Sequence, residues 1–349
     1  MPTVYEIFKM IFGLVASVFI LYFLITYAGG YAGTQLSAQR ISITRDFLTA
    51  SENVYLSGVP FIFDGFGRQD FEYSLDASGT QPQIEFGSGQ LPVRVPLFFS
   101  PGKELYIERK ELDLGWWKFG FAMATPEMDI IFNVQDPEGM DAAVGIASLF
   151  PESQEPEISF TLCDGAELEG PYGQFDFAGS RSPVIRNIRP ALPCSASLQK
   201  GSILVTISSS CSSSMQAGIC IRPSDGTAFI SGSQKEYIYK DSLDLAALVL
   251  GGDRKDLFGN YIAETLYTYK NRVVGSELRL ASVVLEGKAR LLEGRDADCD
   301  YSRLVSSLRE LRAIVSGKDY YLSRHTGYTD ANLLLMAEQE RLEALGCGL

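Results

Sequence analysis

Histidine is almost missing from this chain: His325 is the single one in 349 residues. One imidazole excludes the histidine-rich zinc sites of metal hydrolases. A Ser–His–Asp triad around His325 would need a nucleophile elbow, and no GxSxG occurs. His325 therefore reads as a loop residue. No two of the six cysteines form a CxxC pair, which removes zinc ribbons and thioredoxin-type redox centres. No GxGxxG follows a strand-like segment, so a dinucleotide fold has no phosphate cradle. Basic residues are outnumbered, 30 Lys and Arg against 43 Asp and Glu, and the net charge of −13 argues against nucleic acid as a partner. The one short basic stretch, Arg181, Arg186 and Arg189, reads as a solvated loop. The last absence is the most informative: residues 10–39 carry no charged side chain at all.

Within that uncharged stretch, Met10 to Ala28 reads MIFGLVASVFILYFLITYA. As a helix, these residues would cover roughly 28 Å, close to the hydrocarbon thickness of a bilayer. A cleavable signal has a shorter apolar core followed by small residues. Small residues do follow, at Ala28, Gly29, Gly30, Ala32 and Gly33, but the length favours an uncleaved anchor through residues 10–28. Lys9 precedes the run, partly offset by Glu6, and no basic residue appears after it before Arg40. The positive-inside rule then places the amino terminus in the cytoplasm and the body outside. Tyr5, Phe8, Tyr27 and Tyr31 suit the interfacial belts. Gly29 and Gly33 form a GxxxG at the end of the span, through which two copies of the helix would pair.

The cysteines test that placement. Cys163, Cys194, Cys211, Cys220, Cys299 and Cys347 are even in number, compatible with three bridges and an oxidising compartment. Cys211 and Cys220 flank a short loop between two apolar strand-like runs and would close a hairpin. Cys299 begins one predicted helix and Cys347 ends the next, ends that antiparallel packing brings together. Cys163 and Cys194 remain as a third pair. Buried free thiols in a reducing compartment are the alternative.

Beyond the anchor (residues 1–34), a juxtamembrane helix over 35–51 carries Ile41, Ile43, Phe47 and Leu48 on one face. Short strand signals follow at 61–63, 71–75, 83–86, 93–99 and 105–117, separated by Gly, Pro, Asp and Ser, and predict an antiparallel β layer within 35–125. From 126 to 240 the pattern is mixed. MDIIFNV at 128–134, a helix over 140–150 and ISFTLC at 158–163 make a βαβ unit, and ILVTIS at 203–208 would join its sheet. From 241 to 349 the chain reads as helices at 241–250, 257–292 and 301–316, and a last one capped by Thr329 or Asp330. The long helix shows an apolar stripe of Ile262, Leu266, Tyr269, Val273, Leu280, Val284 and Leu291 with Gly275-Ser276 as a kink point; Leu335, Leu342 and Leu345 face inward on the last. The fold class is therefore α+β: an N-terminal transmembrane helix, a β-rich to mixed α/β extracytoplasmic head with a βαβ unit, and a C-terminal antiparallel helical module.

Three constellations tempt a chemical reading. Asp296, Asp298 and Asp300 start like a calcium loop, but its sixth position is Tyr301 and its twelfth Ser307, so helix capping explains them better. Ser208–Ser214 offers hydroxyls without a base and reads as a polar loop. Trp116, Trp117, Phe119 and Phe121 read as core before they read as a binding patch. No catalytic residue, cofactor or metal is expected.

The order of N-terminal span, strands, MDIIFNV–helix–ISFTLCDG, YKDSLDLAALVLGG and a C-terminal helix pair ending EALGCGL resembles uncharacterised single-span surface proteins of small-genome archaea. That resemblance implies an extracytoplasmic domain and lends no catalytic residue. The expected function is that of a membrane-anchored structural or interaction protein of the envelope, in surface, adhesion or assembly roles, with a protein partner. The competing readings are a tethered hydrolase or carbohydrate-active enzyme using paired Asp and Glu, and a pilin-like filament subunit. Pilins share the apolar N-terminal helix and β-rich head, but here no short basic leader with a processing glycine precedes the run, and Glu6 lies ahead of it.

Overall fold

The structure is a computed structural model describing residues 4–68, 74–76, 83–86, 89–135, 139–151, 158–164, 188–193, 202–213, 218–256, 258–293, 299–316 and 326–347. It is α+β, with six α-helices and three sheets among those residues.

Helix α1 (Val4–Ser57) runs unbroken for 54 residues, about 80 Å at 1.5 Å per residue. No proline lies between Pro2 and Pro60, so nothing interrupts the backbone ladder. It ends on Gly58, whose N–H returns to the Val54 carbonyl at 2.8 Å. The two halves differ. In residues 12–27 every described side chain except Ala16 is exposed, Phe19 and Phe23 by about 70%. In the second half Thr44, Phe47, Leu48, Ser51 and Val54 are buried at helical spacing. The Phe47 ring meets Phe63, Phe66 and Phe99 at 5.2–5.5 Å. Among the described residues no helix is long and apolar enough to cross a membrane, the described side chains of the apolar run being those of residues 12–27.

That buried face lies on a four-stranded sheet of β1 (Phe61–Phe63), β5 (Leu97–Phe99), β6 (Leu105–Asp113) and β7 (Lys118–Thr125) in the order β1-β6-β7-β5. A small antiparallel sheet of β2 (Ser74–Asp76), β3 (Gln83–Phe86) and β4 (Gly89–Pro92) sits beside it. The expected layer is not wholly antiparallel, because β5 pairs parallel with β7. The short link from β5 to β6 crosses the end of β7 against Pro126; a Cβ on Gly102 would stand 2.3 Å from the Pro126 Cβ, so only glycine fits that crossing. The 93–99 strand is shorter than its sequence suggests, and that expected over 105–117 ends at Asp113, where a turn closed by Leu114 N–H to Trp117 O starts a hairpin.

The second sheet has seven strands, β10-β9-β8-β11-β12-β13-β14. Here β8 (Met128–Val134), α2 (Gly139–Leu149) and β9 (Ile158–Asp164) form the expected βαβ unit with parallel strands. Alternation is clean in β8, where Met128, Ile130, Phe132 and Val134 are buried and the residues between are half-buried. β10 (Ile188–Pro193) and β11 (Ser202–Ile207) extend the parallel set on either side. β12 (Ile219–Arg222) also joins in parallel, so the 211–220 segment is a return crossover and not the hairpin that its spacing suggests. Gly218 makes that return fit: at φ +77°, its Cβ would be 2.1 Å from the Leu204 carbonyl oxygen. β13 (Thr227–Ile230) and β14 (Glu236–Ile238) close the sheet in antiparallel fashion.

α3 (Ser242–Gly251) is buried along its length from Leu243 to Gly251 and packs against α2 and α4 (Ile262–Glu293). α4 starts five residues later than its pattern suggests. The preceding loop is held by Asp256 Oδ1, which accepts from the N–H groups of Phe258 and Asn260 at 2.9 Å, and by a Lys255–Tyr261 bridge. α4 runs through Gly275-Ser276 as one helix. α5 (Ser302–Ser316) packs against both α4 and α6 (Thr326–Ala344). α6 begins three residues before the expected caps, and Leu345 is 60% exposed instead of inward.

The α4 stripe divides. Ile262, Leu266 and Tyr269 are buried against the β layer, where the Tyr269 hydroxyl accepts from Leu97 N–H at 3.1 Å and its ring meets Phe98 at 5.3 Å. Leu280, Val284 and Leu291 are exposed by 57%, 42% and 71%, against expectation. α4 outruns the β layer, and its far half buries the opposite side, Leu278, Ser282, Glu286 and Ala289, with Ser282 and Glu286 bonded to α5. One continuous apolar core still joins α1, both large sheets and all the C-terminal helices, from Phe47 to Cys347.

Candidate functional site

The chemically richest place in the described structure is where α3 begins. Asp241 caps α3: its Oδ1 accepts from the N–H groups of Leu243 and Asp244, both at 3.0 Å. Its Oδ2 faces Lys270 Nζ of α4 at 2.6 Å. Asp244, one turn on, meets the same ammonium at 3.0 Å through Oδ1, which also accepts from Asn271 Nδ2 at 3.0 Å. Its Oδ2 accepts from the Lys240 N–H at 2.7 Å. Lys240 Nζ then donates to Asn271 Oδ1 at 2.8 Å and lies over the Tyr267 ring. The Tyr267 hydroxyl donates to the Ile238 carbonyl, tying in the last strand of the seven-stranded sheet.

Asp244, Lys270 and Asn271 are wholly buried. Two carboxylates and two ammonium groups make the cluster neutral, which is what burial of charge requires. Burial raises the Asp244 carboxyl and the charge of Lys270 pulls it back. Burial also opposes the Lys270 charge, but Asp241 and Asp244 outweigh it and hold the ammonium above its ordinary value. Lys240 is lowered by burial, against the pull of Asp244, with Lys270 adding repulsion. Tyr328 of α6 is raised well above ten by burial and then by the two aspartates. Asp244, Lys270 and Asn271 are closed to solvent while Lys240 and Asp241 reach the surface, and the arrangement cross-links α3 to α4 electrostatically.

A second charged group links α4 to α5. Glu286 Oε1 accepts from Arg309 at 2.9 Å and from Arg290 at 2.5 Å, and Oε2 from Arg312 at 2.6 Å. Arg312 also donates to the Ser282 hydroxyl and carbonyl. Burial pushes the Glu286 carboxyl up, but the three guanidinium groups overcome it and hold the acid at about 2. A cavity of about 20 Å³ lies between Leu75, Phe99, Pro101, Asp256, Ile262 and Thr265. It has room for one or two waters, far below the volume of a substrate pocket.

Among the described residues, two of the three expected cysteine pairs are seen. Cys211–Cys220 and Cys299–Cys347 have Cα separations of 5.6 and 5.8 Å, and the second ties the start of α5 to the end of α6. The Cys163 side chain and Cys194 lie outside the described residues, as do His325, Asp296, Asp298, Arg181 and Arg186. Gly29 and Gly33 fall within α1, and their surroundings lie outside the described residues. Asp300 lies just ahead of α5, its Oδ1 accepting from the N–H of the first helical residue, Ser302, at 2.9 Å. Trp116, Phe119 and Phe121 are buried, with Trp116 Nε1 donating to Asn332 of α6. Ser208 is buried, its hydroxyl 2.9 Å from that of Ser210. Among the described residues no group of three or more His, Cys, Asp or Glu is placed to hold a metal.

Sequence reasoning missed the Lys240–Asp241–Asp244–Lys270–Asn271 cluster. A signal existed: Lys270 stands four residues from both Leu266 and Val274, buried positions of a packed helix, where a lone cation needs a carboxylate. The chain matches no family model, no curated protein and no solved structure.

Proposed function

We propose that this chain is a single-pass envelope protein, anchored through residues 10–28 with its amino terminus in the cytoplasm, whose extracytoplasmic head serves a structural or interaction role. The observation that carries the reading is the divided α1. One helix is bare along its apolar run and built into the core along its amphipathic half. Twelve large apolar side chains from Phe12 to Tyr27 stand exposed. Leaving them in water would cost on the order of 15 kcal/mol, which a bilayer removes. Two disulfides fit an oxidising compartment. The likeness to single-span archaeal surface proteins belongs to this reading.

A filament subunit is the second reading, and the same observation favours it, since a bare half-helix on a packed head would also be covered by neighbouring copies. The tethered-hydrolase reading gains no support from Asp241 and Asp244, because both carboxylates are committed to Lys270.

The test is protease digestion of intact cells or right-side-out vesicles followed by non-reducing peptide mass spectrometry. The head should be cut from outside and should yield linked 211–220 and 299–347 peptides. Free thiols together with a protected head would refute the placement. Recovery of the chain in sheared extracellular filaments would select the second reading.

A further inference from the structure

Past the edge of the β layer, α4 carries a bare strip of Leu280, Val283, Val284 and Leu291. Their spacing continues the three-and-four rhythm that seats Ile262, Leu266, Tyr269 and Val273, so it is the seam of a packed helix with nothing on it among the described residues. The strip faces away from α5, which packs between α4 and α6. It is therefore the open edge of a helical layer. Gly287 interrupts it, and a Cβ there would meet nothing within 4 Å, leaving a notch between Val284 and Leu291 where a side chain from another helix can sit.

Charge selects the occupant. On the helical wheel Arg279 and Arg290 border the strip on one side and Lys288 on the other, all exposed, with Glu277 as the acid at its near end. Arg290 shares Glu286 with Arg309 and Arg312, so one carboxylate faces three guanidinium groups and the border stays cationic on a chain of net charge −13. A second copy fits badly. An antiparallel pair of strips would bring Arg279 alongside Arg290 and a parallel pair would bring Lys288 alongside Arg290, and in either Glu277 offers one acid against three basic residues per copy. A lipid surface would use the basic border but has no need of a heptad seam or a notch.

We propose that the distal half of α4 is a docking strip for an amphipathic partner helix with acidic residues flanking its apolar seam. The inference needs only the α4 geometry and stands whichever compartment holds the head.

The test uses the full chain in phosphatidylcholine nanodiscs and a labelled synthetic peptide of about three heptads, with leucine along the seam and glutamate beside it. A matched peptide carries lysine in place of glutamate. The glutamate peptide should bind saturably, the lysine peptide about tenfold more weakly from three flanking pairs. Val284→Asp should abolish binding without moving the unfolding midpoint, since Val284 is on the surface. Equal binding of both peptides, no binding of either, or binding retained by Val284→Asp would overturn the proposal. So would Val284→Asp-sensitive self-association in sedimentation, or Val284→Asp-sensitive binding to phosphatidylglycerol vesicles.

Discussion

Replacing Lys270 by methionine isolates what the buried cluster contributes. Methionine keeps most of the length of the side chain and removes the ammonium that Asp241 meets at 2.6 Å and Asp244 at 3.0 Å. Asp241 lies nearer the surface and keeps its capping bonds. Asp244 has no such relief: it is wholly buried and retains only the Lys240 N–H and Asn271 Nδ2 as donors. Breaking a buried pair by removing one partner costs about 3–5 kcal/mol, and the two surviving donors place this case near 3 kcal/mol.

The cost should depend on pH. Asp244 is already raised by burial, and losing Lys270 removes what holds it down. The folded variant then keeps a proton that the unfolded chain releases near pH 4, so its stability falls as pH climbs from there through the raised folded value. The deficit of Lys270→Met should be larger at about pH 8 than at about pH 5. Urea unfolding followed by tryptophan emission reads this well, because Trp116 and Trp117 are the only two tryptophans and Trp116 is buried against α6. Adding Asp244→Asn should restore much of the loss, a coupling of about 2 kcal/mol between two touching residues. A deficit under about 1 kcal/mol, or one flat across that pH range, would refute the account of the cluster as a charge-balanced lock.

Glu286→Gln should behave in the opposite sense. The wild-type carboxyl is held at about 2 against an ordinary 4.5, so its contribution is present above the ordinary value and lost as pH falls toward 2. Discounted for the exposure of Arg290 and Arg309, the variant should lose about 2 kcal/mol at neutral pH and progressively less in acid, by urea unfolding; an equal loss at both ends would refute it. Cys299→Ser combined with Cys347→Ser opens a link spanning 48 residues. It should cost about 2–4 kcal/mol and release the end of α6 first, read as faster amide exchange there than in α3. An unchanged unfolding midpoint would show that the bridge only decorates an interface already held by Leu335 and Leu342.

Where local pattern decides, the fold was legible. Alternation over 128–134, a short apolar helix and a second β-rich run define the βαβ unit with no further information. For β11 and β12 the pairing direction was not legible, because it depends on where a strand's neighbour comes from. Ile203–Ile207 and Ile219–Ile221 are two apolar runs joined by a short loop, which is the outline of a hairpin. The two strands instead run parallel, and Gly218, which permits the return against Leu204, is a single residue with no local signature. Two disulfides were legible, Cys211–Cys220 from its short spacing although the hairpin expected around it is a parallel return, and Cys299–Cys347 from helix ends that antiparallel packing brings together. The buried cluster was not, because aspartates at 241 and 244 and a lysine at 270 lie 26 or more residues apart in sequence and gain their meaning only when α3 packs on α4.

Exposed apolar surface occurs on both long helices, and its pattern differs between them. In α1 the bare residues 12–27 run all round the helix, with no charge on any face. A surface without a preferred side can be covered only by a medium that has none, which is hydrocarbon or a surrounding bundle of like helices. In α4 the bare residues keep to one side, follow a three-and-four spacing and are bordered by Arg279, Lys288 and Arg290. A one-sided seam with cationic borders would leave its charged flanks poorly solvated in hydrocarbon, and suits a single helix of opposite charge. If Val284→Asp disturbed membrane insertion instead of peptide binding, the proposed division of roles would fail, because a 42% exposed residue of α4 would then be serving the proposed anchor in α1.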